Sequence, residues 1–166
     1  MPENIIIVDK NDNIVGHIDR DMRKEADIFR VSALWIINSQ GEILLAKRHM
    51  SKKSNPGLWG PAVAGTNAVG ETYESNIYKE AEEEIGITNT LFLKNIKIER
   101  FDTSAKHFLQ WFTIKMDMAI SEFRLQENEV EEVRWWSKQD LEKELREKPE
   151  LFLKSMPRYL EMFADL

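Results

Sequence analysis

The chain has no cysteine. Disulfides, thiolate metal sites and a cysteine nucleophile are therefore excluded, and a cytoplasmic location is the expected one. Long hydrophobic runs are also missing. No stretch approaches the roughly 20 apolar residues needed to cross a bilayer. The start, Met1-Pro2-Glu3-Asn4, leads straight into a strand-like run with no signal-peptide pattern. Positive charge is in deficit: 23 Lys and Arg face 29 Asp and Glu, a net charge of −6. That sign argues against broad nucleic-acid binding, so neither a nucleic-acid nor a membrane partner is expected. An anionic substrate would need local help from Lys, Arg or a metal ion. The 166 residues suffice for one domain, 1–166, with a real core.

Strand patterns dominate the chain. Ile5 to Val8 and Ile14 to His17 flank Asp12-Asn13 and read as a hairpin. Residues 19–27 are polar and read as helical. Arg30 to Ile37 and Glu42 to Arg48 are strands joined by the turn sequence Asn38-Ser39-Gln40-Gly41. A basic loop, 49–58, is followed by a short apolar strand, Trp59 to Ala64. Leu91 to Arg100, His107 to Asp117 and Val130 to Trp136 are further strands. Ser137 reads as the N-cap of a helix to about Glu147, and Pro157 opens a final helix. Strands outnumber helices and mix with them irregularly, which predicts an α+β fold, a mixed α/β/α sandwich. Trp35, Trp59, Trp111, Trp135 and Trp136 are candidates for stacking on a base, with most of them expected in the core.

The stretch from Gly65 to Ile87 carries the chemistry. A helix is predicted over Thr72 to Ile85, capped by Thr72 and ended by Gly86 in the left-handed conformation. At about 100° per residue, Ile77, Tyr78, Ala81 and Ile85 share one arc. Glu80, Glu83 and Glu84 fall in another, as surface neighbours three and four residues apart. Like charges at that spacing destabilise a helix, and these three lie at its negative end. A Glu-rich helix by itself implies only solvation. Here two local rules are broken together, as at functional sites, and a hard divalent cation with oxygen ligands would reverse both penalties.

The same 23 residues resemble the Nudix box, Gly-x5-Glu-x7-Arg-Glu-U-x-Glu-Glu-x-Gly-U, where U is aliphatic. Gly65, Glu71, Glu80, Ala81, Glu83, Glu84, Gly86 and Ile87 match in register. Lys79 stands where the family has Arg. The resemblance implies a Nudix fold, with the box helix packed on a mixed sheet. It implies hydrolysis of a diphosphate bond in a nucleoside-diphosphate-type or other organic diphosphate, by metal-activated water, with Mg²⁺ or Mn²⁺ as cofactor. Glu80, Glu83 and Glu84 would be metal ligands, the Gly65 carbonyl an extra one, and one carboxylate the general base. Lys79 would balance the neighbouring glutamates as a point charge, where Arg would brace two oxygens. A further carboxylate from a later loop is expected among Glu127, Glu129, Glu131 and Glu132, with Glu129 favoured. Arg48, Lys52 and Lys53, alongside Lys47, are candidates for substrate phosphates. His17, His49 and His107 are scattered and not expected as ligands.

The N-terminal half also resembles the isopentenyl-diphosphate isomerase branch of the superfamily. The matching residues are Val8-Asp9, Val15-Gly16-His17, Leu44 to Arg48 and Ser51 to Trp59. The isomerase Cys is replaced by Ala64, and its metal-binding His residues by Thr66 and Phe29. Its Glu-x-Glu pair maps near Ala105 and His107. A methyl group or a phenyl ring neither donates a proton nor binds a metal. Two alternatives to the hydrolase stand open: an isomerase, and a non-catalytic Nudix-fold binding module. A homodimer is conceivable through exposed aromatics near Trp135 or on the C-terminal helix.

Overall fold

β3 (Ile28–Ile37) is the ten-residue strand around which the chain is arranged. In this computed structural model, which describes residues 3–166, its residues alternate between two cores. Met1 and Pro2, where the expectation about a leader begins, lie outside the described residues. Leu34 and Ile36 point to one face, and Ala33, Trp35 and Ile37 to the other. A strand buried on both faces reads as the near-continuous apolar run seen here.

β1 (Asn4–Val8) and β2 (Ile14–Asp19) form the predicted antiparallel hairpin. Its turn is held by Asp9, whose Oδ1 accepts from the amides of Asn11 and Asn13 at 2.8 and 3.0 Å. β4 (Ile43–Arg48) follows β3 through the predicted turn, where Asn38 Oδ1 accepts from Gln40 and Glu42 amides and Gly41 takes φ +76°. The expected Trp59 to Ala64 strand is two strands instead. β5 (Trp59–Pro61) pairs with β4, and after Ala62 the chain changes partner, so that β6 (Val63–Thr66) pairs with β3. The bend follows Pro61, which has no amide to continue a ladder.

β7 (Leu93–Arg100) and β8 (His107–Lys115) form an antiparallel pair, with β8 parallel to β3 along all nine residues from Phe29↔His107 to Ile37↔Lys115. β9 (Val130–Trp136) pairs with β4. The helix expected in residues 19–27 is a single 3-10 turn, Arg20–Met22. Asp19 and Asp27 side chains accept from nearby amides (2.9 and 2.8 Å), and no residue of the turn is buried. Local side-chain bonds to backbone and the lack of an apolar face outweigh helix formation there.

α1 (Tyr73–Ile85) covers one face of the sheet, α2 (Lys138–Glu147) and α3 (Met156–Met162) the other. This is the predicted mixed sandwich. Ile77 and Ile85 are fully buried against Leu34, Ile36 and Phe112, each worth about 1.5–3 kcal/mol. On the other face Trp35, Trp111, Tyr159 and Phe163 stack and cross with centroids 4.7–6.0 Å apart. Trp59 and Trp136 are buried as well, and Trp135 is half-buried with its Nε1 donating to Met118 O. The aromatics of the C-terminal helix expected at a dimer surface are therefore core residues. Among the described residues no helix is long and apolar enough to cross a membrane.

Candidate active site

α1 begins at a reciprocal cap. Ser75 N donates to Thr72 Oγ1 at 3.0 Å, and Thr72 N donates to Ser75 Oγ at 2.9 Å. It ends at Gly86, φ +76°, whose amide donates to Glu82 O, while Ile87 N donates to Ala81 O. The chain returns along this end: Arg124 N donates to Ile85 O and Gln126 N to Glu84 O. Orphan carbonyls of the last turn are thereby satisfied, and the 126–129 segment is fixed beside the glutamates.

The box residues ahead of the helix form a connected network. Glu71 Oε2 accepts from Ala68 N at 2.8 Å and Asn76 Nδ2 at 2.9 Å. Its Oε1 pairs with Lys79 Nζ at 2.6 Å, and the same ammonium lies 3.5 Å from Glu80 Oε1. Burial works against ionising Glu71, but Lys79 and these amides outweigh it and hold the carboxyl below the usual range. Burial likewise opposes the Lys79 charge, but Glu71, Glu80 and Glu83 hold its pKa above the ordinary value. Asn76 Nδ2 also donates to Thr66 O and reaches Glu80 Oε1, which ties α1 to β6.

The carboxylate face looks into a cavity of about 1070 Å³. Gly65, Lys79, Glu80, Glu83 and Glu84 line it from β6 and α1. Arg48 lines it from the end of β4, and Lys52 and Glu129 from the loops after β4 and before β9. Glu80 lies against Gly65 so closely that a Cβ there would overlap its carboxylate. Glu84 is pushed up to about 8, first by burial and then by repulsion from Glu80 and Glu129, with Lys52 and the Ala64 amide opposing. Burial, followed in part by Glu83 and Glu71, also raises Glu80 despite Lys79. Lys52 is paired with Glu129. Arg48 donates to Ser54 O at 3.0 Å, and burial lowers its pKa while Glu84 and Glu129 support its charge.

Of the predicted substrate cations Lys47 lies outside the cavity, and so does Lys53. Lys53 is mostly exposed and pairs with Asp21 at 2.8 Å. Of the later-loop carboxylates only Glu129 reaches the cavity; Glu131 pairs with Lys47 at 3.0 Å and Glu132 with Arg134 at 2.8 Å. Sequence reasoning missed Arg100, Tyr159 and Gln126 as cavity residues and set His107 aside, yet all four line it. His107 Nδ1 lies 2.6 Å from Ala105 O, and burial lowers its pKa. None of these four lies in the box, and only the fold brings them near it.

The donor set fits a hard divalent cation in chemistry: all oxygen, crowded, and with Glu84 held at a raised pKa by burial and then by its neighbours. The side chains do not yet close on a common point. Among the described residues no three carboxylates or imidazoles converge to hold a metal as they stand. Glu80 is turned to Asn76 and Lys79, and Glu83 is exposed.

Comparison with known proteins gives the family and the fold. The NUDIX domain profile matches residues 28–156. An uncharacterized Nudix hydrolase of Pseudomonas aeruginosa is 30% identical over 134 residues, covering 80% of this chain and 78% of that protein. The isopentenyl-diphosphate Delta-isomerase of Klebsiella pneumoniae is 29% identical over 87 residues, 51% of this chain and 47% of the isomerase. The crystal structure of DR0079 from Deinococcus radiodurans superposes with a TM-score of 0.82 at 23% identity, covering 96% of this chain and 98% of that one, a likeness of fold. The chain belongs to the Nudix family and is an enzyme of its pyrophosphohydrolase class.

Proposed function

We propose that the protein hydrolyses the diphosphate bond of a nucleoside-diphosphate-type or other organic diphosphate, with Glu80, Glu83 and Glu84 holding Mg²⁺ or Mn²⁺. The carrying observation is the crowding of Glu80, Glu84 and Glu129 at one end of a large cavity, with Arg48 and Lys52 beside them. Carboxylates so placed repel one another, and among the described residues Glu84 has no ion-pair partner of its own, since Lys52 is paired with Glu129. Bound there, the cation would neutralise phosphate charge and acidify the attacking water.

The chain's own groups have separable roles in this reading. Glu129 and the Gly65 carbonyl would complete the oxygen set that the three helix carboxylates offer a cation. Arg48 and Lys52 hold phosphate oxygens, Arg48 by its planar fork and Lys52 as a point charge. For Lys52 this means leaving Glu129 when substrate arrives. Lys79 is a positioning residue that holds Glu71 and Glu80 in register. One box carboxylate accepts the proton of the attacking water.

Incubation of the purified protein with nucleoside triphosphates, nucleotide sugars, ADP-ribose, dinucleoside polyphosphates and prenyl diphosphates, with and without Mg²⁺, tests the reading. Release of phosphate or nucleoside monophosphate only with the cation is expected. No release from any member of the panel would contradict it.

A further inference from the structure

The cavity has a second charged end that the hydrolysis reading leaves without a role. Its apolar floor is one face of β3 and β8, with Val31, Ala33 and Leu109 between the two ends. At the far end stands Arg100, the one buried residue of β7, 6% exposed. From the pairings Ser32↔Gly65, Phe29↔His107 and Arg100↔His107, the Cα atoms of Gly65 and Arg100 are about 17 Å apart by strand spacing and rise.

Arg100 is only partly spent inside the protein. Its Nη1 donates to Tyr159 Oη at 2.6 Å and Ser155 Oγ at 2.9 Å, and its Nε donates to Asp102 at 3.2 Å. Among the described residues its Nη2 has no hydrogen bond. Asp102 is 64% exposed, so much of its compensating charge is spent on water. Tyr159 and Ser155 accept from Arg100, which leaves each hydroxyl proton free to donate. A buried fork with an unused nitrogen, flanked by two hydroxyl donors, matches an anionic oxygen group.

We propose that Arg100, with Tyr159 and Ser155, forms a second anion-recognition subsite that selects diphosphates whose attached group carries a further anionic substituent. The inference rests on the hydrolysis reading for the orientation of the ligand, with its diphosphate at the carboxylate end. It makes Arg100 a specificity residue that touches substrate remote from the bond broken. The same contacts also join β7 to α3, so a purely structural role is the competing explanation.

Matched ligand pairs separate the two. NADPH and NADH differ by one phosphate, coenzyme A and its 3′-dephospho form by another, and UDP-glucuronate and UDP-glucose by a carboxylate. Binding is measured by titration calorimetry with Ca²⁺ in place of Mg²⁺, which neutralises the carboxylate end, and recovery of intact ligand after each titration shows that the readout does not depend on turnover. The wild type should bind the anionic member of at least one pair about tenfold or more tightly, the yield of a charge-assisted hydrogen bond. Which pair shows the effect distinguishes phosphate from carboxylate. In Arg100→Met the preference should vanish while affinity for the neutral member stays within about threefold. Arg100→Lys, which keeps the charge and loses the fork, should retain part of it, and melting curves of both variants report folding. A purely structural Arg100 would lower the melting temperature and weaken both members equally. That result, no preference in any pair, a preference unchanged in Arg100→Met, or binding of no ligand would overturn the proposal. Loss of hydrolysis across the panel with the preference intact would instead remove only the reading it rests on.

Discussion

Glu80 occupies the space that a side chain on Gly65 would need. A Cβ at Gly65 would overlap the Glu80 carboxyl, so the first box glycine and the first helix glutamate of the carboxylate arc are sterically one unit. Gly65 is in an ordinary strand, paired with Ser32, so close approach rather than backbone freedom explains the glycine.

Gly65→Ala should therefore displace Glu80 without unfolding the protein. Shifts of about 1 Å in a catalytic group cost on the order of a hundredfold in rate, and overpacking at a flexible carboxyl should cost no more than about 1–3 kcal/mol. Steady-state kinetics beside urea unfolding would check both. Full activity in the alanine variant would show that Glu80 need not sit where it does.

The Lys79–Glu71 pair gives a second test. Both are partly buried, and their 2.6 Å contact sits in a network with Asn76 and the Ala68 amide. Lys79→Met should destabilise by about 1–2 kcal/mol, between an exposed ion pair and a buried one. Lys79→Arg should fold as well as the wild type, because Arg can bond both Glu71 and Glu80. Equal stability of all three proteins in urea would mean that the pair contributes nothing.

Much of this was readable before the fold was known, and the reason is physical. The box helix is set by local signals: Thr72 as cap, Gly86 as stop, and an apolar arc of Ile77, Ala81 and Ile85 that can face only a core. Its carboxylates were conspicuous because they break local rules. Glu129 could be favoured but not placed, since its position depends on Gln126 and Arg124 bonding to the end of α1. Lys52 and Lys53 are adjacent and chemically alike, and only the fold sends one to the cavity and the other to Asp21. Arg100 and Tyr159 lie 59 residues apart, on a strand and a helix, and nothing local to either announces their contact.

Stability should depend on acid through Asp12. This residue sits at φ +65° in the β1–β2 turn and meets Arg30 Nε at 2.7 Å, Lys97 Nζ at 2.5 Å and the Tyr73 hydroxyl at 3.0 Å. Burial opposes its charge, but Lys97, Arg30 and Tyr73 outweigh it and the folded pKa lies below the ordinary carboxylate value. A depressed carboxylate stabilises the fold above the unfolded pKa, and that contribution is lost as pH falls through the folded one. Asp12→Asn, which tolerates the left-handed turn, should cost about 2 kcal/mol at pH 7. The cost should shrink steadily below about pH 4. A difference in melting temperature that stays constant from pH 7 to pH 3 would contradict the assignment.

Isomerisation should be absent. Ala64 and Thr66 stand on β6 where the isomerase branch has its Cys and a metal-binding His, and Ala64 faces the cavity as a methyl group. Interconverting isopentenyl and dimethylallyl diphosphate needs an acid and a base on opposite faces of the alkene. NMR of isopentenyl diphosphate incubated with the protein and saturating Mg²⁺ should show no isomer. Its accumulation would shift the assignment to the isomerase branch.

The central claim is that the Glu80, Glu83 and Glu84 face holds the cation that turnover requires. Calorimetric titration of Mg²⁺ into the wild type and Glu83→Gln tests it most directly, with melting curves alongside. Glu83 is exposed, so removing one of several repelling charges should leave the melting temperature unchanged or slightly raised. The account predicts saturable binding in the wild type, weakened at least about tenfold in the variant, with diphosphate hydrolysis lost in parallel. The same Mg²⁺ affinity in both proteins would contradict it.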